Sequence, residues 1–179
     1  MPDTCDPAMN PPPPALPKDD RDRFAQSFDA HRGIVATVAA SYCRDPDDRA
    51  DLMQEIAAQA WQAWPRYDPT RPFPTWLYRI ALNVAITRVR QLGLRSRHAV
   101  PFDAALHDIA DPNAADPQAE QQVRALYRFI HAQRPLDRAL LLLYLDGRSH
   151  RETAEVLGLS ETNVATKISR LRQRIRTEL

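Results

Sequence analysis

Apolar residues recur at three- and four-residue spacing through most of this chain, and no strand-length run alternates between turn pairs such as Asn-Gly or Asp-Gly. The pattern predicts an all-α protein. Asp45-Pro46-Asp47-Asp48 combines an N-cap carboxylate, proline at the first helical position and acids favoured by the helix dipole, so a helix is expected from there to about Trp64, where Pro65 stops it. On that helix Met53, Ala57, Ala60, Trp61 and Trp64 line one face, and Asp51, Gln54, Glu55, Ala58 and Gln62 another. After a proline-punctuated loop, Arg66 to Pro72, a long helix is expected from Phe73 to Leu92, ended by Gly93. Its apolar stripe reads Leu77, Ile80, Ala81, Val84 and Ala85, opposite Trp76, Arg79, Asn83, Thr87 and Arg90. Further on, the spacing predicts helices over Ala119–Gln133 and Leu136–Asp146, a short one over Ser149–Leu157, and a last one capped by Ser160 and reaching nearly to Leu179.

Proline placement divides these helices into two groups. Of the 16 prolines, a cluster between Pro2 and Pro17 marks residues 1–20 as a polyproline-type tail unable to offset ordering by burial. From Ala99 to Gln122 the acids Asp103, Asp108, Asp111, Asp116 and Glu120 face no lysine or arginine, and Pro101, Pro112 and Pro117 interrupt the run. That stretch reads as a flexible acidic linker, so the expected organisation is two small helical domains, 21–98 and 118–179, joined across 99–117.

Net charge is +1, so any nucleic-acid signal must be local. It appears twice. Residues 88–98 hold Arg88, Arg90, Arg95 and Arg97 with no acid, and the last helix sets Lys167, Arg170, Arg172, Arg174 and Arg176 against Glu161 and Glu178. Cys5 and Cys43 have no metal-ligand or disulfide spacing, the five histidines gather no metal, and His107-Asp108 lacks further ligands. No Walker loop, GxSxG or HExxH occurs, so neither an enzyme nor a cofactor is expected. The longest apolar run, Ala139 to Leu145, is far short of the ~20 residues that span a bilayer, and the N-terminus lacks the basic and then apolar pattern of a secretory signal. A soluble cytoplasmic protein is the expectation.

Ser149 to Ile175 has the spacing of a helix-turn-helix. Ala154 is small enough for two helices to cross, Gly158 can adopt the left-handed turn conformation, and Val164 returns to the core at the head of a stripe with Ile168, Leu171 and Ile175. Asn163, Thr166, Lys167, Ser169, Arg170, Gln173 and Arg174 are left outward, the composition of a helix entering a major groove. A basic amphipathic helix can also simply pack and solvate; the Ala/Gly/Val spacing favours DNA. Tyr67, Arg71, Trp76, Arg79, Asn83 and Arg90 combine rings, guanidinium and amide, which suits bases held out of the stack but equally suits a helix edge packing on its neighbour. The acidic row Asp51, Gln54 and Glu55 is either a solvated face or a docking surface for a basic partner.

Two segments resemble the extracytoplasmic-function class of bacterial sigma-70 family factors. Asp51-Leu52-Met53-Gln54-Glu55 is similar to its DLxQE segment, and Phe73-Pro74-Thr75-Trp76-Leu77-Tyr78-Arg79-Ile80-Ala81, continuing to Asn83, to its F-x-TWLYRIA segment. In the second block Tyr144 to Gly147, Glu152 to Ser160 and Asn163-Val164 resemble sigma domain 4. The resemblance implies a monomeric initiation factor that binds core RNA polymerase: the clamp helices of its largest subunit through Asp51, Gln54 and Glu55, and the flap through domain 4. It implies that domain 2 melts the −10 element, with a flipped base near the Tyr67–Phe73 loop and the strand supported by Trp76, Arg79 and Asn83. Domain 4 is expected to read the −35 element with Ala165, Thr166, Ser169 and Arg170, holding phosphates with Lys167 and Arg172, and an anti-sigma factor is a further partner the class allows. Leu82, Thr87 and Ala165 depart from the family pattern, which often has arginine, aspartate and a larger polar reader there. A stand-alone helix-turn-helix regulator, dimeric on a palindromic operator, is the rival reading, and a purely helical anti-sigma-like interaction protein the third.

Overall fold

Helix follows helix from the first described residue. The computed structural model describes residues 18–96 and 117–178, and among them eight α-helices and one 3-10 turn account for the regular structure. They are α1 (Lys18–Ala30), α2 (Arg32–Tyr42), α3 (Pro46–Ala63), the 3-10 turn Trp64–Arg66, α4 (Phe73–Ser96), α5 (Pro117–Ala132), α6 (Pro135–Leu145), α7 (His150–Leu157) and α8 (Glu161–Glu178). The proline tail before Lys18, with Cys5, lies outside the described residues, as do residues 97–116 with most of the acidic linker, Arg97 and His107-Asp108.

Several ends form as the residues dictate. The Asp45 carboxylate accepts from the Asp47 and Asp48 amides at 2.9 and 3.2 Å and starts α3. Pro65 converts the end of α3 into the 3-10 turn. Two expected boundaries move. Lys18 to Asp20, assigned to the tail, open α1, with Asp19 and Asp20 in the dipole-favoured first turn. Gly93 does not end its helix: α4 runs on to Ser96, since an interior glycine costs only about 1 kcal/mol.

α2, α3 and α4 pack on one another as a three-helix core, with α1 laid across it through Phe24 and Phe28. In α3 the buried row is Leu52, Ile56 and Ala60, leading into Trp64; Met53, Ala57 and Trp61, placed on one face with Ala60 and Trp64, are only half-buried. In α4 Leu77, Tyr78, Ala81, Leu82 and Ala85 are buried, a stripe rotated from the expected one, with Ile80 and Val84 half-exposed.

The rotation has a cause in the second group of helices. Ala139, Leu142 and Leu143 of α6 and Val156 of α7 share a buried cluster with α2, α3 and α4, so the two groups pack against each other. Leu82, where the resemblance led one to expect arginine, is 1% exposed within that cluster. The remaining face of α6, Leu140 and Leu141, closes a second core with Phe129, Ile130, Ala154, Val164, Ile168 and Leu171.

Polar groups fasten the seam. The Tyr42 hydroxyl donates to the Pro135 carbonyl at 2.6 Å. Arg138 donates to the carbonyls of Gln133 at 2.9 Å, His131 at 2.6 Å and Ser41 at 3.5 Å while its guanidinium lies over the Tyr42 ring. One cation therefore caps α5 and reaches the end of α2. His131, buried against the Ala40 backbone, has its pKa lowered from 6.5 to about 4, first by burial and then by Arg138 of α6, Arg44 and, on α3, Arg49; a hydrogen bond to the Ala40 backbone opposes the shift. The folded chain thus favours neutral His131. Its contribution is complete above about pH 6.5 and is lost as pH falls from there toward 4. The thermal midpoint is expected to drop between pH 7 and 5 more in the wild type than in His131→Gln, a difference that scanning calorimetry at several pH values measures.

Candidate nucleic-acid interface and docking face

The helix-turn-helix is built by α7, a tight turn and α8. A complete capping box opens α7: the Ser149 hydroxyl oxygen accepts from the Glu152 amide at 3.2 Å, and the Glu152 carboxylate accepts from the Ser149 amide at 2.9 Å. The Ser149 amide and hydroxyl, then Arg148, hold the Glu152 carboxyl below the usual carboxylate range. Gly158 closes the helix at φ +66°, where a side chain would be strained, and the Leu159 amide donates to the Ala154 carbonyl at 3.0 Å. Ser160 then starts α8 by accepting from the Asn163 amide at 3.3 Å. Val164, Ile168 and Leu171 are buried as the spacing requires, with Ile175 half-buried beyond them.

The expected readers consequently share the outer face of α8. Thr166, Ser169, Arg170 and Arg172 are exposed, and Ala165 and Lys167 half-exposed. The basic residues are not equivalent. The Arg172 guanidinium lies over the Tyr144 ring at 5.9 Å, and Arg174 donates to the Gln133 side chain at 2.8 Å while covering Phe129. Arg174 therefore has a packing role that its place in the basic run did not disclose.

On the first group of helices an aromatic cluster organises the loop ahead of α4. The Tyr67 ring stacks on Trp64 at 5.0 Å and 17°, and meets Trp76 at 5.0 Å and Phe73 at 5.7 Å; Phe24 of α1 packs edge-on to Trp61 and Trp64. The loop is stiffened from within. The Tyr67 hydroxyl donates to the Arg71 carbonyl at 2.8 Å, and the Asp68 carboxylate accepts from the Thr70 hydroxyl and amide, which lowers its pKa. Tyr67, Arg71 and Trp76 are thus brought together, but Tyr67 and Trp76 are half-buried against each other. Arg79, Asn83 and Arg90 continue from Trp76 as an exposed row on α4. Arg71 is already engaged across the seam, its guanidinium 2.8 Å from the Glu155 carboxylate of α7.

The acidic row falls on the outer side of α3, with Asp51, Gln54 and Glu55 exposed. Arg88, counted by charge among the α4 arginines facing nucleic acid, instead turns onto this row. Its guanidinium lies 2.9 Å from Asp48, 3.9 Å from Asp51 and 3.8 Å from Glu55. Nothing in residue spacing signalled this pairing, because it joins two helices forty residues apart. Cys43 lies buried nearby, and desolvation pushes its thiol pKa up.

Known proteins share this arrangement. The family described as Sigma-70 region 2 matches residues 28–95, and Sigma-70, region 4, matches 125–175. The RNA polymerase sigma factor CnrH of Cupriavidus metallidurans is 31% identical over 165 residues, covering 85% of this chain and 84% of CnrH. The ECF RNA polymerase sigma factor SigW of Bacillus subtilis is 26% identical over 176 residues, covering 90% and 91%. Among solved structures, RpoE in complex with the anti-sigma factor NepR from Bartonella quintana superposes with a TM-score of 0.69 over 90% of this chain and 96% of that one at 19% identity, a likeness of fold. CnrH in complex with the cytosolic domain of CnrY superposes with a TM-score of 0.63 at 25% identity, over 88% and 87%.

Proposed function

The chain belongs to the extracytoplasmic-function subfamily of the sigma-70 family of RNA polymerase sigma factors, and from that premise we propose how its residues divide the work of promoter-specific initiation. The first group of helices, expected over 21–98 and beginning at Lys18, forms the polymerase-binding and −10-melting domain, and the second, expected over 118–179 and beginning at Pro117, the −35-binding domain. Asp51, Gln54 and Glu55 dock on the clamp helices of the largest polymerase subunit. Tyr67, Arg71, Trp76, Arg79, Asn83 and Arg90 hold the melted strand: rings stack on bases and arginines follow phosphates. Ala165, Thr166, Ser169 and Arg170 face base edges, and Lys167 and Arg172 phosphates. The factor acts by binding, in the cytoplasm where the polymerase is. RpoE is bound by the anti-sigma factor NepR, and CnrH by the cytosolic domain of CnrY, in their solved structures, and an anti-sigma partner is proposed here too.

The observation that carries the docking assignment is the exposure of Asp51, Gln54 and Glu55 on the side of α3 away from the buried Leu52, Ile56 and Ala60. A stand-alone regulator is not favoured, since both sigma regions match in one chain and in order. Run-off transcription with core polymerase on genomic fragments tests the whole reading. Selected start sites are expected; transcripts no different from those of core alone would overturn it.

On a promoter so found, Arg170→Ala is expected to weaken complex formation about tenfold and relax preference at one −35 base, as loss of a base-edge contact does. Lys167→Ala is expected to weaken all sequences alike and lower the salt dependence by about one ion. Footprinting across a base-substitution series at two salt concentrations separates the two roles.

A further inference from the structure

We propose that Arg88 is a positioning residue for polymerase docking: reaching from α4, it holds the acidic row of α3 in the form that the polymerase meets. This rests on the docking face assigned above. By charge Arg88 belongs with its neighbour Arg90, yet the two part company: Arg90 is exposed, whereas the Arg88 side chain is 20% exposed and crosses to α3. There its guanidinium lies within 4 Å of three carboxylates, those of Asp48, Asp51 and Glu55.

The three contacts are unequal, and the inequality suits the role. Only Asp48 is hydrogen bonded, from Nη2 at 2.9 Å; Asp51 and Glu55 stand 3.9 and 3.8 Å away, beyond a good hydrogen bond. Asp48 thus anchors the cation, and the cation draws the other two carboxylates to one place while leaving their lone pairs free to accept from a partner. Asp48, Asp51 and Glu55 stand at offsets of three and seven along one helix row, where like charges repel. Without Arg88 the two docking carboxylates swing apart into water and must be ordered again on binding.

The proposal makes a prediction opposite in sign to charge counting. Removing a cation makes the face more negative, and steering alone then speeds encounter with a basic partner and tightens binding. Positioning requires the reverse at equilibrium.

Binding of the labelled full-length factor to core RNA polymerase tests this by stopped-flow and fluorescence anisotropy. In Arg88→Met, which keeps an apolar stem without the charge, the Kd is expected to rise about tenfold through faster dissociation, with association no slower, the size of ordering two side chains afresh. Arg88→Lys, which restores a cation, is expected to recover most of the affinity. Asp48→Asn, exposed and therefore harmless to the core, is expected to weaken binding in the same direction and tests the proposal even if Arg88→Met folds poorly. Wild-type or tighter binding by folded Arg88→Met, or by Asp48→Asn where the methionine variant does not fold, overturns it. Asp51→Arg with Glu55→Arg, run alongside, reports on the docking face itself: lost binding there with normal binding by Arg88→Met removes only the role of Arg88.

Discussion

Asp51→Arg combined with Glu55→Arg is expected to abolish capture of core RNA polymerase, a loss of more than about a hundredfold in affinity, while the helical circular dichroism of the factor is unchanged. The two halves of that result have separate physical causes. Both side chains are exposed, 68% and 49%, and lie past the first turn of α3, so their reversal buries no charge and leaves the dipole-favoured Asp47 and Asp48 in place. Asp51 and Glu55 meet Arg88 from exposed positions at 3.9 and 3.8 Å, so losing those pairs costs about 0–1 kcal/mol of stability, and Arg88 keeps its hydrogen bond to Asp48. Binding answers to a different rule. Like charges brought together across an interface cost several kcal/mol, and here two new arginines join Arg88 where a basic helix is to be met. Pull-down with core enzyme and far-ultraviolet circular dichroism on the same preparation check both halves; retained pull-down removes these residues from the interface.

How the helices begin and end was legible in short stretches, because caps and breakers act locally. Asp45-Pro46, Pro65, Ser149 with Glu152, and Gly158 each do in the fold what their chemistry dictates. The outward face of α8 was legible for a related reason: a single apolar stripe, Val164, Ile168 and Leu171, leaves one arrangement of the rest. α3 is different. It has apolar residues on two adjacent rows, Leu52-Ile56-Ala60 and Met53-Ala57-Trp61, and spacing alone cannot choose between them. The choice is made by what packs there: α2 and α4 take the first row, while the second is half-buried, with Phe24 of α1 edge-on to Trp61. Spacing within α4 does not place Tyr78 and Leu82 in the core, because α6 and α7, which share that buried cluster, come more than fifty residues later. Arg88 shows the same limit for charge. A count of arginines in a window says how much positive charge a segment has, but only the neighbouring helix decides whether it faces DNA or acids.

Ala139→Arg is expected to part the two groups of helices without unfolding either. α6 has two buried sides, and they belong to different cores: Leu140 and Leu141 face α5, α7 and α8, whereas Ala139, Leu142 and Leu143 lie in the cluster shared with α2 and α4. Ala139 is fully buried on the second side, its backbone beside the hydroxyl of Tyr42, whose ring Arg138 already covers. A guanidinium there would be a second cation beside Tyr42, next to that of Arg138. An uncompensated buried charge costs about 3–5 kcal/mol, whereas the Arg71–Glu155 pair returns about 0–1 kcal/mol and the Tyr42–Pro135 hydrogen bond about 1 kcal/mol. The polar fastenings alone therefore do not offset it, and the apolar contacts of Leu142, Leu143 and Val156 at the seam are the ones that the charge disrupts. Separation removes the cost by letting the new side chain reach water, and it leaves the core around Leu140 and Leu141 intact. Small-angle scattering is expected to show a larger radius of gyration at unchanged helicity, together with undiminished polymerase capture, since Asp51, Gln54 and Glu55 lie on α3 and take no part in the seam. Unchanged scattering would mean that the seam tolerates the charge.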